Sequence, residues 1–237
     1  MQDACVIIEN FTDKVPNLHP SIHRLALFAV YDGHGGARAS QHAAERLHKH
    51  LINKFPKGDI LQVQKEMKKI LVETFKKTDE EFLKEALKSK PVWKDGTTAT
   101  VILVINDTAV IACLGDSQAF LCRHQEEEGG DTYMPIHLTS VHNPSVYEER
   151  IRIQKAGGQV KDGRVMGVLE VSRSIGDGQF KKHGVICTPD VKKCQLTDDD
   201  RTHSLRQIDQ PGTPVTRSRG GAEILRDRNF VTNKLVN

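Results

Sequence analysis

The chain has 237 residues, 38% of them hydrophobic and 27% charged, which suits an ordinary globular protein of one large domain or two small ones. The net charge of +3 is uneven: residues 201–237 hold seven Lys and Arg against three Asp and Glu (+4), so the first 200 residues carry 3 − 4 = −1. No basic or aromatic-rich patch falls on a recognisable element, no apolar run reaches the roughly eighteen residues of a membrane span, and Asp3, Glu9 and Asp13 interrupt any secretory leader, so nucleic-acid binding, membrane insertion and secretion are not expected.

Taken in order, Ala4–Glu9 reads as a short strand and Leu25–Tyr31 (LALFAVY) as a buried one that breaks at Asp32-Gly33. Ala43, Leu47, Leu51 and Phe55 then recur every fourth residue, one apolar stripe of a helix that Pro56-Lys57-Gly58 ends. Met67, Leu71, Phe75, Thr78 and Phe82 mark a second helix over roughly Gln62 to Lys88, with a solvated Lys/Glu outer face. Thr97–Ile105 and Thr108–Leu114 flank Asn106-Asp107 as a hairpin, and Gln118–Arg123 is a third strand after the break at Gly115-Asp116-Ser117. Glu126–Asp131 reads as an exposed polar loop. Asn143-Pro144 opens a further helix that Gly157-Gly158 closes, and short strands are expected at Val160, Val165–Leu169 and Val185–Cys187. From Arg201 the texture turns polar, with Pro, Gly and Ser and no apolar period, as in a disordered tail. The whole reads as one α+β domain over 1–200 followed by the tail 201–237.

Four strings could carry chemistry. Asp32-Gly33-His34-Gly35-Gly36 ends a buried strand, which holds a carboxylate rigidly at a sheet rim. Gly33 can turn its carbonyl toward a ligand, His34 is an acid, base or donor, and a helix N-terminus that attracts anions follows. Carboxylate plus carbonyl is an all-oxygen set suited to Mg²⁺ or Mn²⁺ and not to zinc. The string alone fits a plain strand–turn–helix link equally well. Gly115-Asp116-Ser117 and Asp95-Gly96-Thr97-Thr98 have simple turn readings. In Ser172–Asp177 an Asp set beside Arg173 reads either as a buried ion pair or as a neighbour of metal. Among the other histidines, His42, His48, His50, His137, His142, His183 and His203 lack metal-binding spacing and read as surface residues, and Tyr133 and Trp93 as packing. Five cysteines without a CxxC pair argue against disulfides or zinc and for a reducing compartment, cytosol or nucleus.

In order, MQDA, FAVYDGHGG, DGTTATVILV, CLGDS, the stretch from His142 to Gly158 and VLEVSRSIGD resemble the metal-dependent type 2C Ser/Thr protein phosphatase family over about the first 200 residues. The resemblance implies a four-layer α-β-β-α sandwich, two antiparallel sheets flanked by helices. It implies hydrolysis of phosphoserine and phosphothreonine on phosphoprotein substrates by a monomer. Two Mg²⁺ or Mn²⁺ ions about 4 Å apart would share a water that attacks phosphorus in line. It also implies roles. Asp32 bridges both metals and Gly33 offers its carbonyl. His34 is the general acid, Asp3 contacts metal-bound water, and Asp116 is a ligand of a weaker third metal. No substrate-binding residue is identified. KFPKGD, TDEEFL, WKDGTTAT and HNPSVYEERIRIQKAGG lie nearest a subfamily whose likeness implies an integrin-linked kinase complex as partner.

Three departures stand out. The Arg that the family carries just before MQDA is not in the sequence. Gln118 stands where Arg usually follows Gly-Asp-Ser. After Arg201 the apolar strand leading to Ala-Cys-Asp-Gly, and the later Asp-Asn motif, are replaced by the polar tail, as a splice variant, frameshift or gene-model error would do. The sandwich is therefore expected to be incomplete at its C-terminal end. A catalytically impaired binding module and an unstable fragment are the alternatives to an active enzyme.

Overall fold

A computed structural model describes residues 2–127, 130–197, 200 and 230–233, with side chains left aside at 124–133 and 230–233. β1 (Ala4–Ile8) and β2 (Leu25–Tyr31) pair antiparallel; β3 (Gly33–His34) follows, then α1 (Arg38–Lys54) and α2 (Ile60–Lys88). Next come β4 (Gly96–Thr97), β5 (Ala99–Ile105), β6 (Thr108–Leu114), β7 (Gln118–Glu127) and β8 (Gly130–His137). α3 (Tyr147–Lys155), β9 (Val160–Lys161), β10 (Arg164–Val165), β11 (Ile175–Gly176), α4 (Gly178–Lys181), β12 (Asp190–Gln195) and β13 (Phe230–Asn233) complete the chain.

The central sheet has five antiparallel strands in the order β1-β2-β5-β6-β12. Its inner strands are apolar without a break because both faces are covered. Side chains alternate along a strand, so Leu25, Leu27, Ala29, Ala99, Val101, Leu103 and Ile105 face one way. They pack on Ala43, Leu47 and Leu51 of α1 and on Val63, Met67, Leu71 and Phe75 of α2. Ala26, Phe28, Ile102, Val104 and Ile111 face the other way, onto Ala119 and Leu121 of β7 and Leu138. β7 belongs to a second antiparallel sheet, ordered β13-β7-β8, so the expected α+β sandwich forms with helices on its first sheet. Leu71 is fully buried in the larger cluster. Leu71→Ala should cost about 2–5 kcal/mol in a urea melt, through lost transfer energy and a cavity.

Asp59 caps α2 by accepting from the Gln62 amide at 2.9 Å. The hairpin joins Ile105 to Thr108 through Asn106, whose φ of +52° is the left-handed turn Asn tolerates. Four expectations change. Asn143 does not cap α3; its side chain accepts from the Ser145 amide at 2.8 Å in a turn, and Val146 holds the cap position. Pro144 sits in that turn, three residues before the first residue of the helix. Glu126, Glu127, Gly130 and Asp131 are strand and not loop: Glu126 pairs with Asp131 and Glu127 with Gly130, so β8 was hidden by its polar start. Val185–Cys187 forms no strand, only a bridge from Ile186 to Arg173. His142 is buried, as its site below explains. Of the tail 201–237, only β13 is described, paired with β7 from Phe230↔Leu121 to Asn233↔Gln118; the disorder expected for the rest lies outside the described residues.

Candidate active site

β2 delivers Asp32 to the rim of the central sheet. The carbonyl of Asp32 accepts from the Thr98 amide and the Thr97 hydroxyl, both at 3.0 Å, so the loop is pinned where the chain leaves the strand. β4 lies between β3 and β11 in a three-stranded ribbon, which brings together residues 33–34, 96–97 and 175–176. Thr98 also shares a hydroxyl–hydroxyl hydrogen bond of 2.8 Å with Ser117, which ties the Gly115-Asp116-Ser117 turn to the same rim.

All five residues singled out in the sequence converge here. The Gly33 amide donates to Asp3 Oδ1 at 3.3 Å. Asp32, His34 and Asp116 line one cavity of about 440 Å³, together with Val168, Leu169 and Phe180. That volume is in the range of a small-molecule pocket. Gly33 sits so close to the carbonyl of Gln2 that a Cβ there would collide with it.

The ribbon also settles Asp177. It does not pair with Arg173; its Oδ2 lies 2.6 Å from His34 Nε2. Asp177 is 1% exposed and held at a φ of +52°, with its amide donating to the Asp95 carbonyl at 2.9 Å. Burial pulls the His34 pKa down, but the hydrogen bond and charge of Asp177 outweigh it, and the net shift is upward. Gly96 makes the pairing possible: a Cβ there would run into the Asp177 carboxylate and the His34 ring. Gly96→Ala should therefore cost about 1–3 kcal/mol by overpacking, read in a urea melt.

Asp95, fully buried, accepts from Arg38 twice, at 2.9 Å from Nε and 3.2 Å from the amide that opens α1. The Arg38 guanidinium in turn lies 5.0 Å from the centroid of Trp93, which packs as expected. Arg173 instead joins a second cluster. It donates to Glu149 at 2.7 Å and to Asp190 at 2.8 Å, while Glu149 also takes hydrogen bonds from Ser172 and Arg152. His142 belongs to this cluster and not to the surface. Its Nδ1 accepts from the Gly115 amide at 3.1 Å, its own amide donates to the Gly115 carbonyl at 2.9 Å, and its Nε2 stands 3.2 Å from Asp190. Burial and the charge of Arg173 press its pKa down, which keeps the ring neutral and able to accept. The cluster thus clamps the residue next to Asp116. Neither cluster had a sequence signal, since His34 and Asp177 are 143 positions apart.

The donors fit a hard divalent ion in type: the carboxylates of Asp32 and Asp116 and a backbone carbonyl, all oxygen. In number they are few, for among the described residues no group of three or more His, Cys, Asp or Glu could hold a metal.

A family model, Protein phosphatase 2C, matches residues 1–203. The chain belongs to the protein phosphatase 2C family. Integrin-linked kinase-associated serine/threonine phosphatase 2C of Homo sapiens is 56% identical over 201 residues, covering 85% of this chain and 51% of that protein. Probable protein phosphatase 2C 67 of Oryza sativa is 40% identical over 209 residues, covering 84% and 55%. The chain spans about half the length of the curated relatives it matches. Among solved structures, a C. elegans sex determining protein shares 25% identity at a TM-score of 0.66, covering 84% of this chain and 46% of that one. A serine-threonine phosphatase 2C from Toxoplasma gondii aligns at 0.64 with 19% identity, covering 83% and 74%, and shows the phosphatase 2C fold. The phosphatase 2C family is metal-dependent in general.

Proposed function

We propose that this chain hydrolyses phosphoserine and phosphothreonine on proteins in the cavity walled by Asp32, His34 and Asp116. The observation that carries the reading is the convergence of Asp3, Asp32, Gly33, His34 and Asp116 on one rim, from positions spread over more than a hundred residues. Mg²⁺ or Mn²⁺, held through the Asp32 carboxylate, the Gly33 carbonyl and Asp116, would supply an activated water and charge neutralisation at phosphorus. His34 gives its proton to the departing serine or threonine oxygen. Asp177 holds Nε2, which leaves Nδ1 for that transfer and stabilises the charged ring until the proton is given. Asp3 fixes the Gly33 amide and with it the direction of the loop. Phosphoproteins are the substrates, and an integrin-linked kinase complex is the proposed partner, after the name of the human relative. The five free thiols suit a reducing compartment, cytosol or nucleus, and the chain acts as a monomer.

Purified chain should release phosphate from a phosphothreonine peptide with Mn²⁺ and stop when EDTA removes the ion. Folded protein with no metal-dependent turnover would refute the reading.

The short count of ligating side chains among the described residues favours one alternative: a phosphatase-like module that holds phosphoproteins without turning them over. It requires that a partner be retained in a pull-down as well by Asp32→Ala as by the native chain, with no phosphate released by either.

A further inference from the structure

Among the described residues, two cations besides His34 line the cavity, Lys94 and Arg164. Arg164 is already engaged. It forms an ion pair with Glu170 and donates Nη1 to the Val168 carbonyl at 3.2 Å, two residues that also line the cavity. Lys94 is different: its ammonium has no hydrogen bond or ion pair with any described residue. Its backbone is nevertheless held firmly. Gly35 packs so close to it that an added Cβ would sit 3.3 Å from the Lys94 carbonyl oxygen, and the Gln179 amide reaches that oxygen at 3.5 Å. The next residue, Asp95, is buried and locked to Arg38.

Lys94 thus lines the cavity with Asp32, His34 and Asp116 from a firmly held backbone beside the glycine that follows His34, and its ammonium has no partner among the described residues. The carboxylates supply the cavity's anionic side, and Lys94, the lining cation without a partner among the described residues, supplies the complement for an anionic ligand. We infer that Lys94 is the substrate-phosphoryl contact of this cavity, its ammonium donating to a non-bridging phosphate oxygen. The inference rests on the phosphatase reading and adds a substrate-binding residue to it. Lys94 breaks no bond; it orients and holds the dianion while the proton moves from His34.

Trp93, the chain's one tryptophan, is adjacent and gives an optical signal, and calorimetry gives an independent one. The full chain would be titrated with inorganic phosphate in Mn²⁺, then with phosphoserine peptides bearing neutral and acidic flanks. Lys94→Ala should weaken all three ligands by about tenfold or more, the scale of a lost charge-assisted hydrogen bond, with an unchanged melting temperature. Lys94→Arg should stay within about threefold, because either cation can meet a phosphate oxygen. Equal affinities for native chain and Lys94→Ala would overturn the inference alone. So would a loss confined to the acidic-flanked peptide, which would make Lys94 a reader of flanking carboxylates. A native chain that neither binds phosphate nor hydrolyses the peptides would overturn this inference and the phosphatase reading together.

Discussion

Asp32→Ala should lower Mn²⁺-dependent phosphate release by about 10²–10³-fold, the scale of removing one preorganised electrostatic contact at a reacting centre. The side chain is 7% exposed and stands at the end of β2. What positions the loop is its backbone: the Asp32 carbonyl is held by Thr97 and Thr98, and the Gly33 amide by Asp3. Removing the carboxylate therefore takes away charge and donor atoms while the loop keeps its course. A urea melt of the variant should lie close to that of the native chain, and phosphate release alone should collapse. A variant that melts as the native chain does and keeps its activity would remove Asp32 from the reaction.

The second large effect lies away from the cavity, at Glu149. This buried carboxylate accepts from Nε and Nη2 along one edge of the Arg173 guanidinium, from Arg152 at 2.7 Å and from the Ser172 hydroxyl at 2.5 Å. Burial alone would raise its pKa, but those hydrogen bonds hold it well below the usual carboxylate range. Glu149→Ala leaves the Arg152 guanidinium with carbonyl acceptors alone and Arg173 with Asp190 as its one remaining carboxylate among the described residues, a loss of about 3 kcal/mol and roughly 10 °C in melting temperature. Glu149→Gln keeps one acceptor oxygen and the side-chain volume and should cost less. Because the folded pKa is depressed, this stabilisation is complete above the ordinary Glu value of about 4 and is lost as the pH falls below it. Asp190 behaves in the same sense: burial raises its pKa, and Arg173 and His142 bring it below the usual range. A melting temperature that is flat from neutral pH down to about 3 would contradict this account.

Much of the architecture was legible in local pattern. LALFAVY and TATVILVI are continuous apolar runs because helices cover one face of the sheet and β7 the other, and period-four stripes marked α1 and α2. What escaped was set by contacts distant in sequence or by polar strands. The start of β8 is polar and pairs with β7 beyond the four residues that β13 pairs with, so alternation was weak there. Asn143-Pro144 has the residues of a helix start, and Asn143 uses its side chain one turn earlier. In the site, the DGHGG loop, Asp3 and Asp116 were readable as motifs. The partners that give them meaning were not. Asp177 meets His34 only because β4 sits between β3 and β11, and His142 reaches Gly115 only through the loop before α3. An Asp four residues after an Arg invites an ion pair, yet Arg173 pairs with Glu149 and Asp190 instead.

Binding of Mn²⁺ by the native chain and by Asp32→Asn, followed by calorimetry, tests the metal role of the loop most directly. Asn keeps the shape of Asp32 and removes its charge, so the native chain should bind Mn²⁺ at least about tenfold more tightly than the variant. Equal Mn²⁺ affinities for two folded proteins, or no binding by either, would contradict the assignment of Asp32 as a metal ligand.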